Sequence, residues 1–237
     1  LEFPLSLGVD GVRILQQNDS LPQQKDTVAD IHHVSVNVQL LPLLQQQVMI
    51  DELLISQAHF NTTNLISDIR LQGEIGQLCL QAHGIDLKKD HVNIDKALLS
   101  DSRLDIALSD TVPPDSTPSQ NLWKISLQQL QVKHTHLALH LPGDTLQVQA
   151  SLENAEAQRA FFDLQQSAYR VQHLDWHSGS LCYDNNFEVH QPGIDANHIA
   201  LERLTLKADS FSYADTRLNI LIRQANFHEK CGLQIDS

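Results

Sequence analysis

Thirteen histidines in 237 residues invite a metal reading. The densest set is His134, His136 and His140 in "KHTHLALH", and a second pair is His173 and His177. On a strand, the first three share one face. Zinc sites draw several imidazole, thiolate or carboxylate donors to one point, and no Cys or Asp completes a ligand spacing around either set. Decoration of a polar strand face accounts for both. Cys79, Cys182 and Cys231 are an odd count, allowing at most one internal disulfide, and their spacing fits no zinc or redox motif. Asp101, Asp105 and Asp110 make no calcium loop. Serines near His and Asp lack the nucleophile-elbow context, and the nine glycines are scattered rather than gathered into a phosphate loop. "CYDNNFE" (182–188) reads as a hairpin turn at Asp184–Asn186. Nothing here makes a positive case for an enzyme. No catalytic, cofactor-binding or metal-binding residues are expected.

Composition narrows the partners. The net charge is −13 and both halves of the chain are acidic, so the clustered Lys and Arg that phosphate-backbone binding needs are missing and no nucleic acid is expected. Electrostatic docking on anionic lipid is disfavoured for the same reason. Hydrophobic residues make up 41% and aromatics only 5%, so the apolar content is aliphatic. No apolar run approaches the roughly 18–20 residues of a membrane span, and the strongest, "LLPLL" at 40–44, contains Pro42. No signal-peptide pattern is present. The chain opens "LEFPLSLGVDG" and closes "GLQIDS" while still strand-like. It reads as a segment of a longer protein, with any anchor outside it.

The elements follow an unusual rhythm. In "VMIDELLISQAHF" the apolar residues Ile50, Leu53, Ile55, Ala58 and Phe60 are spaced three, two, three, two. The pattern recurs at Ile75, Leu78, Leu80, His83, Ile85; at Ile94, Ala97, Leu99, Ser102, Leu104; and at Leu127, Leu130, Val132, Thr135, Leu137. It recurs again at Val171, Leu174, Trp176, Gly179, Leu181 and at Leu201, Leu204, Leu206, Asp209, Phe211. A step of three flips a strand's face unless one residue is absorbed by a bulge or bend. The first three-step therefore predicts a bulge that adds twist. The second passes through turn-like "SQAH", "SDSR", "KHTH" and "HSGS", and predicts a turn into the next strand. Each unit would then be a hairpin, repeated at irregular intervals.

Strand alternation dominates elsewhere, as at Val34, Val36, Val38 and at Leu146, Val148, Ala150. A few short helices are expected. Residues 41–47 allow one or two turns, and "NTTNLISDI" offers capping residues before Leu65 and Ile66. Residues 153–166 have helix-forming composition inside strand-like surroundings, which leaves helix or strand open. The Pro-rich stretch 109–121 reads as a loop beside one continuous sheet, so residues 1–237 form one elongated β segment.

The phrases "FPLSLGVDGVRI", "LSDTVPPDSTPS" followed by "LWKI", "LPGDTLQV", "YDNNFE", "PGIDANHIALERL" and "GLQI" resemble the Bacteroidetes branch of the TamB family, translocation and assembly module proteins of the AsmA-like superfamily. The resemblance runs from Phe3 to the C-terminus and includes no catalytic motif. It implies an all-β fold: an elongated, curved, antiparallel-rich sheet, a half-pipe or taco with an aliphatic concave face. It implies a periplasmic body on an inner-membrane anchor, phospholipid movement between inner and outer membranes, and outer-membrane protein assembly with an Omp85-type partner. It carries over a lining and no short list of functional residues.

The residues agree in kind. Some 18 strands stacked at about 4.8 Å would make a sheet roughly 85 Å long, too long to close on one core. Bending it would shelter the aliphatic face, where a phospholipid or fatty acid would be the only bound group expected. The expected groove lining is Ile50, Leu53, Ile55, Phe60, Leu78, Leu80, Ile94, Leu99, Leu104, Leu127, Leu130, Val132, Leu137, Val171, Leu174, Leu181, Leu201, Leu204, Leu206 and Phe211. A charge at Ile55, Leu99 or Val132 would then block loading without unfolding. The alternatives are a closed β-sandwich whose aliphatic residues pack on each other, a scaffold that adds strands to its edges, and a carbohydrate- or metal-binding sandwich.

Overall fold

The computed structural model describes residues 4–17, 25–44, 49–62, 69–86, 91–108, 124–141, 146–163, 166, 168–192, 195–214, 217–230 and 234–235. Its strands are β1 (Pro4–Gln17), β2 (Lys25–Gln39), β3 (Met49–Thr62), β4 (Ile69–Asp86), β5 (His91–Leu108) and β6 (Lys124–His140). They continue as β7 (Leu146–Asp163), β8 (Ala168–Asn185), β9 (His198–Ala214), β10 (Arg217–Glu229) and the two-residue β11 (Gln234–Ile235). One short helix, α1 (Leu40–Leu44), follows β2, with Pro42 in its first turn, where a missing N–H costs no bond. The other two candidate helices fare differently. Residues 63–68 lie outside the described residues, whereas 153–163 are strand. In β7 the small side chains Ala155, Ala157 and Ala160 fill buried positions, and tertiary packing overrides propensity.

All eleven strands form one sheet in sequence order. Every adjacent pair is antiparallel except β5–β6, which is parallel. Tight turns join antiparallel neighbours, but a parallel pair needs a crossover of a dozen or more residues. The Pro-rich stretch sits in that one connection, between Leu108 and Lys124, and its own course lies outside the described residues. Each strand packs extensively only against its sheet neighbours. Among the described residues the sheet is a single layer that does not close into a sandwich or barrel.

The hairpin reading of the repeat is corrected here. Each unit is one long strand with an internal kink. The sheet has eleven strands where about 18 were expected, and at ~4.8 Å each its span is nearer 50 Å. Four of the "turn" residues hold left-handed backbone in mid-strand, Gln57 (φ 51°), Asp101 (φ 52°), His134 (φ 44°) and Ser178 (φ 55°), whereas in the last unit the left-handed residue is Arg203 (φ 51°), inside the first three-step. Left-handed backbone favours the small polar residues that turns also use, so the composition was ambiguous between the two. Neighbouring strands kink together. Ser100 pairs with Lys133 and Ser102 with Thr135, leaving Asp101 and His134 out of the ladder side by side. Because both strands omit one residue, register survives and the same face resumes. A second crease crosses the first three-step: Ile94 pairs with Leu127 and Lys96 with Gln129, and Arg159 (φ 52°) is omitted between Gln158 and Ala160.

Candidate hydrophobic groove

A two-residue step keeps the face, and a three-residue step keeps it once the kinked residue drops out. The creases therefore gather the aliphatic residues on one face, and register lines them up across strands. One ladder reads Val9, Val34, Ile55, Leu78, Leu99, Val132, Ala155, Trp176, Leu206, Ala225. The adjacent one reads Leu7, Val36, Leu53, Leu80, Ala97, Leu130, Ala157, Leu174, Ala208, Ile222. Each crosses β1 to β10 without one polar side chain. Nine steps of about 4.8 Å make each ladder roughly 43 Å long.

The remaining expected residues fall on flanking ladders of the same face. Ile94, Leu127, Val171 and Phe211 share one, through Ala160. Phe60, Leu104, Leu137, Leu181 and Leu201 share another, through Gly73 and Ala150. Ile50 pairs with Val38 and Ile85. Leu204 is buried beside Val132, Ala155 and Trp176. Two details of the sequence pattern change. In the last unit the inward residue is Ala208, while Asp209 drops into the crease and accepts two bonds from Arg223, at 3.0 and 2.7 Å. Val132 is only 8% exposed, so it belongs to the packed centre rather than to a free lining, and a charge there would act on folding. Ile55 and Leu99 are half-buried.

The crease is the tightest part of the face. Ser102 and Thr135 are nearly fully buried, and each donates its hydroxyl to the carbonyl oxygen two residues back, of Ser100 and Lys133, at 2.8 Å. Those bonds satisfy polar groups that would otherwise be costly to bury. At Gly179 a Cβ would collide with the Ser151 carbonyl and the Trp176 indole, so glycine is required there. Beyond the crease a concavity of about 550 Å³ is lined by Leu104, Leu137, Leu181 and Leu201 together with Arg103, His136, Glu202 and Lys230.

The opposite face is polar, and the histidines expected to decorate a strand face have separate carboxylate neighbours. His134 Nδ1 lies 3.2 Å from Asp101, His140 Nε2 3.6 Å from Asp105, His173 Nδ1 3.7 Å from Asp209 and His177 Nε2 2.9 Å from Asp175. His173 also accepts from Arg159 at 2.8 Å. Among the described residues these histidines do not converge on one point. Cys79 is half-buried and Cys182 exposed, both as free thiols. Burial, and then the charge of Glu52, push the Cys79 thiol up. The expected hairpin at Asp184–Asn186 is instead the start of a longer excursion, since β8 runs to Asn185 and β9 begins only at His198.

No family model matches this sequence, and no curated protein matches it. Among the described residues no helix is long and apolar enough to cross a membrane.

Proposed function

We propose that this chain is a non-enzymatic, periplasmic lipid-conduit segment of an inner-membrane-anchored protein of the TamB type. In this reading its aliphatic face carries phospholipid acyl chains between inner and outer membranes. The observation that supports it is the pair of unbroken ten-residue apolar ladders. A conduit needs attraction without selectivity, and apolar burial is non-directional. An acyl chain laid along a ladder gains about 0.8 kcal/mol for each CH₂ removed from water. Alanine, leucine and valine lining presents no hydrogen-bond partner that would arrest a headgroup-specific ligand. The partners in this reading are phospholipid and, through the longer protein, an Omp85-type outer-membrane protein and the inner membrane. Organic extracts of the purified protein should contain phospholipid by mass spectrometry. Ile55→Asp should abolish loading of a fluorescent phospholipid while far-UV circular dichroism stays unchanged. Wild-type protein that never takes up the fluorescent lipid after delipidation would sink the idea.

A second reading is favoured by the sheet's edge. Among the described residues β1 pairs with β2 alone, and it exposes Leu5, Leu7, Val9, Ile14 and Leu15. Such an edge can accept a further strand, as a scaffold for outer-membrane protein assembly would. Capture of an unfolded barrel strand that persists in Ile55→Asp would favour this reading over lipid carriage.

A further inference from the structure

The β8–β9 connection places four titratable side chains together at one end of the sheet. Asp184 on β8 pairs directly with His198 on β9. The chain between them folds back on itself: Asn185 N–H donates to the Asn197 carbonyl at 2.8 Å, and Glu188 N–H to the Asn185 carbonyl at 3.1 Å. Asp195 ties the two halves of this excursion, accepting from Gln191 N–H at 2.7 Å and from Asn197 N–H at 3.0 Å. Those bonds, that from Gln191 foremost, hold its carboxyl down at about 2. The His190 ring is thereby laid on the His198 ring, with centroids 3.7 Å apart and planes 25° from parallel.

His198 is the centre of this group. Its side chain is only 7% exposed, and each ring nitrogen faces a carboxylate. Nδ1 lies 2.9 Å from Asp195 Oδ2 and Nε2 3.3 Å from Asp184 Oδ1. A neutral imidazole carries one N–H. With it on Nδ1, donating to Asp195, the Nε2 lone pair and the Asp184 carboxylate oxygen, 3.3 Å apart, are two electron-pair donors turned to the same space, which a cation can bridge. Carboxylate–imidazole–metal arrays have this form, with the carboxylate fixing the tautomer. Zinc bonds of about 2.0–2.1 Å at tetrahedral angles separate neighbouring donors by roughly 3.3 Å. The Asp184–His198 separation is 3.3 Å. One ligating atom each from Asp184, His190 and His198 lie within 4.8 Å of one another, and the exposed His190 ring, stacked on His198, must turn off that ring to direct a nitrogen at a shared ion.

We propose that Asp184, His190 and His198 bind one divalent transition-metal ion of the zinc class, with Asp195 orienting His198. Two imidazoles and one carboxylate are borderline donors suited to zinc rather than to calcium or magnesium. The three residues border a cleft of about 330 Å³ lined also by Cys182, Tyr183, Glu229 and Lys230, with room for water or an anionic oxygen as a fourth ligand. The ion would pin a connection whose tip exposes Phe187 and Val189. The site is independent of lipid carriage, because none of its ligands lies on the two long apolar ladders.

Isothermal titration of chelator-treated full chain with zinc chloride tests the site, with cobalt(II) absorption as a second readout of tetrahedral nitrogen and oxygen ligation. The expected result is one saturable ion per chain, weakened at least tenfold by His190→Ala and by Asp184→Asn, and about 10–100-fold by Asp195→Asn. His190 is exposed, so its variant keeps the fold even if a change at His198 does not. His134→Ala/His136→Ala should leave binding unchanged. A silent titration, or binding untouched by His190→Ala and Asp184→Asn, overturns the proposal.

Discussion

Val9 and Val132 occupy the same apolar ladder, yet Val9 is 54% exposed and Val132 8%. The residue type is identical and the face is the same; what differs is place in the sheet. Val132 on β6 has strands on both sides and packs with Ala155, Trp176 and Leu204, with Leu99, Leu152 and Leu206 around them. Among the described residues Val9 on β1 has one neighbouring strand, β2. The contrast repeats at the other flank, where Ile220, Leu221 and Ile222 on β10 are exposed. In a single-layer sheet no second layer buries the apolar face, so burial comes from lateral neighbours and from the creases that bring them together. Among the described residues the centre is therefore the more tightly packed part of the face and the flanks the more open part.

The strongest way to break this comparison is to place the same charge at both ends of the ladder. Val132→Asp should cost about 4 kcal/mol, because an unpaired carboxylate would be buried, while Val9→Asp should stay within about 0.5 kcal/mol. Urea unfolding followed by circular dichroism measures both, and equal effects would mean that the centre is not a packed core. Glycine gives the next test. Gly179→Ala meets a backbone carbonyl and the Trp176 ring, and should cost about 3 kcal/mol or more. Gly11→Ala, with nothing within 4 Å but φ at +66°, should cost only about 1–2 kcal/mol through backbone strain. A thermal shift for Gly11→Ala larger than that for Gly179→Ala would reverse the assignment of core and flank. The smallest effect sharpens the role of the crease between these regions. Gln57 is exposed and left-handed. Gln57→Gly should stabilise by up to about 1 kcal/mol and Gln57→Val should destabilise by a similar amount. If both substitutions are neutral, the kink at β3 is not held by the sheet.

Much of the sheet was legible because its rhythm is physical. The three-two spacing at Ile50, Leu53, Ile55, Ala58 and Phe60 can return to one face only if one residue per three-step leaves the ladder. That condition alone predicts the bulge near Asp51, where β3 slips register against both neighbours. The second three-step was misread as a turn because Asp101, His134 and Ser178 suit a β-turn and a mid-strand kink equally; local chemistry is the same, and only the neighbouring strands decide. Helix-forming composition at 153–166 left helix or strand open, and the structure makes 153–163 strand, since alanine's preference for helices is weaker than the demand for small side chains beside Trp176. The Asp184, His190, His198 grouping left no mark in the sequence beyond histidine abundance. Its members are brought together by a strand pair and a folded-back loop rather than by a local spacing.

The sequence by itself determined which residues are aliphatic, and that a three-residue step must shed one residue from the ladder if they are to share one face, because side-chain alternation is local; whether the second such step is a turn or a mid-strand crease was left to the tertiary structure. Only the tertiary structure decided which of those residues are core and which are surface. It also decided that β5 and β6 run parallel, and which histidine meets which carboxylate. Those depend on which strands become neighbours, and pairing is a long-range choice that no short stretch of chain contains.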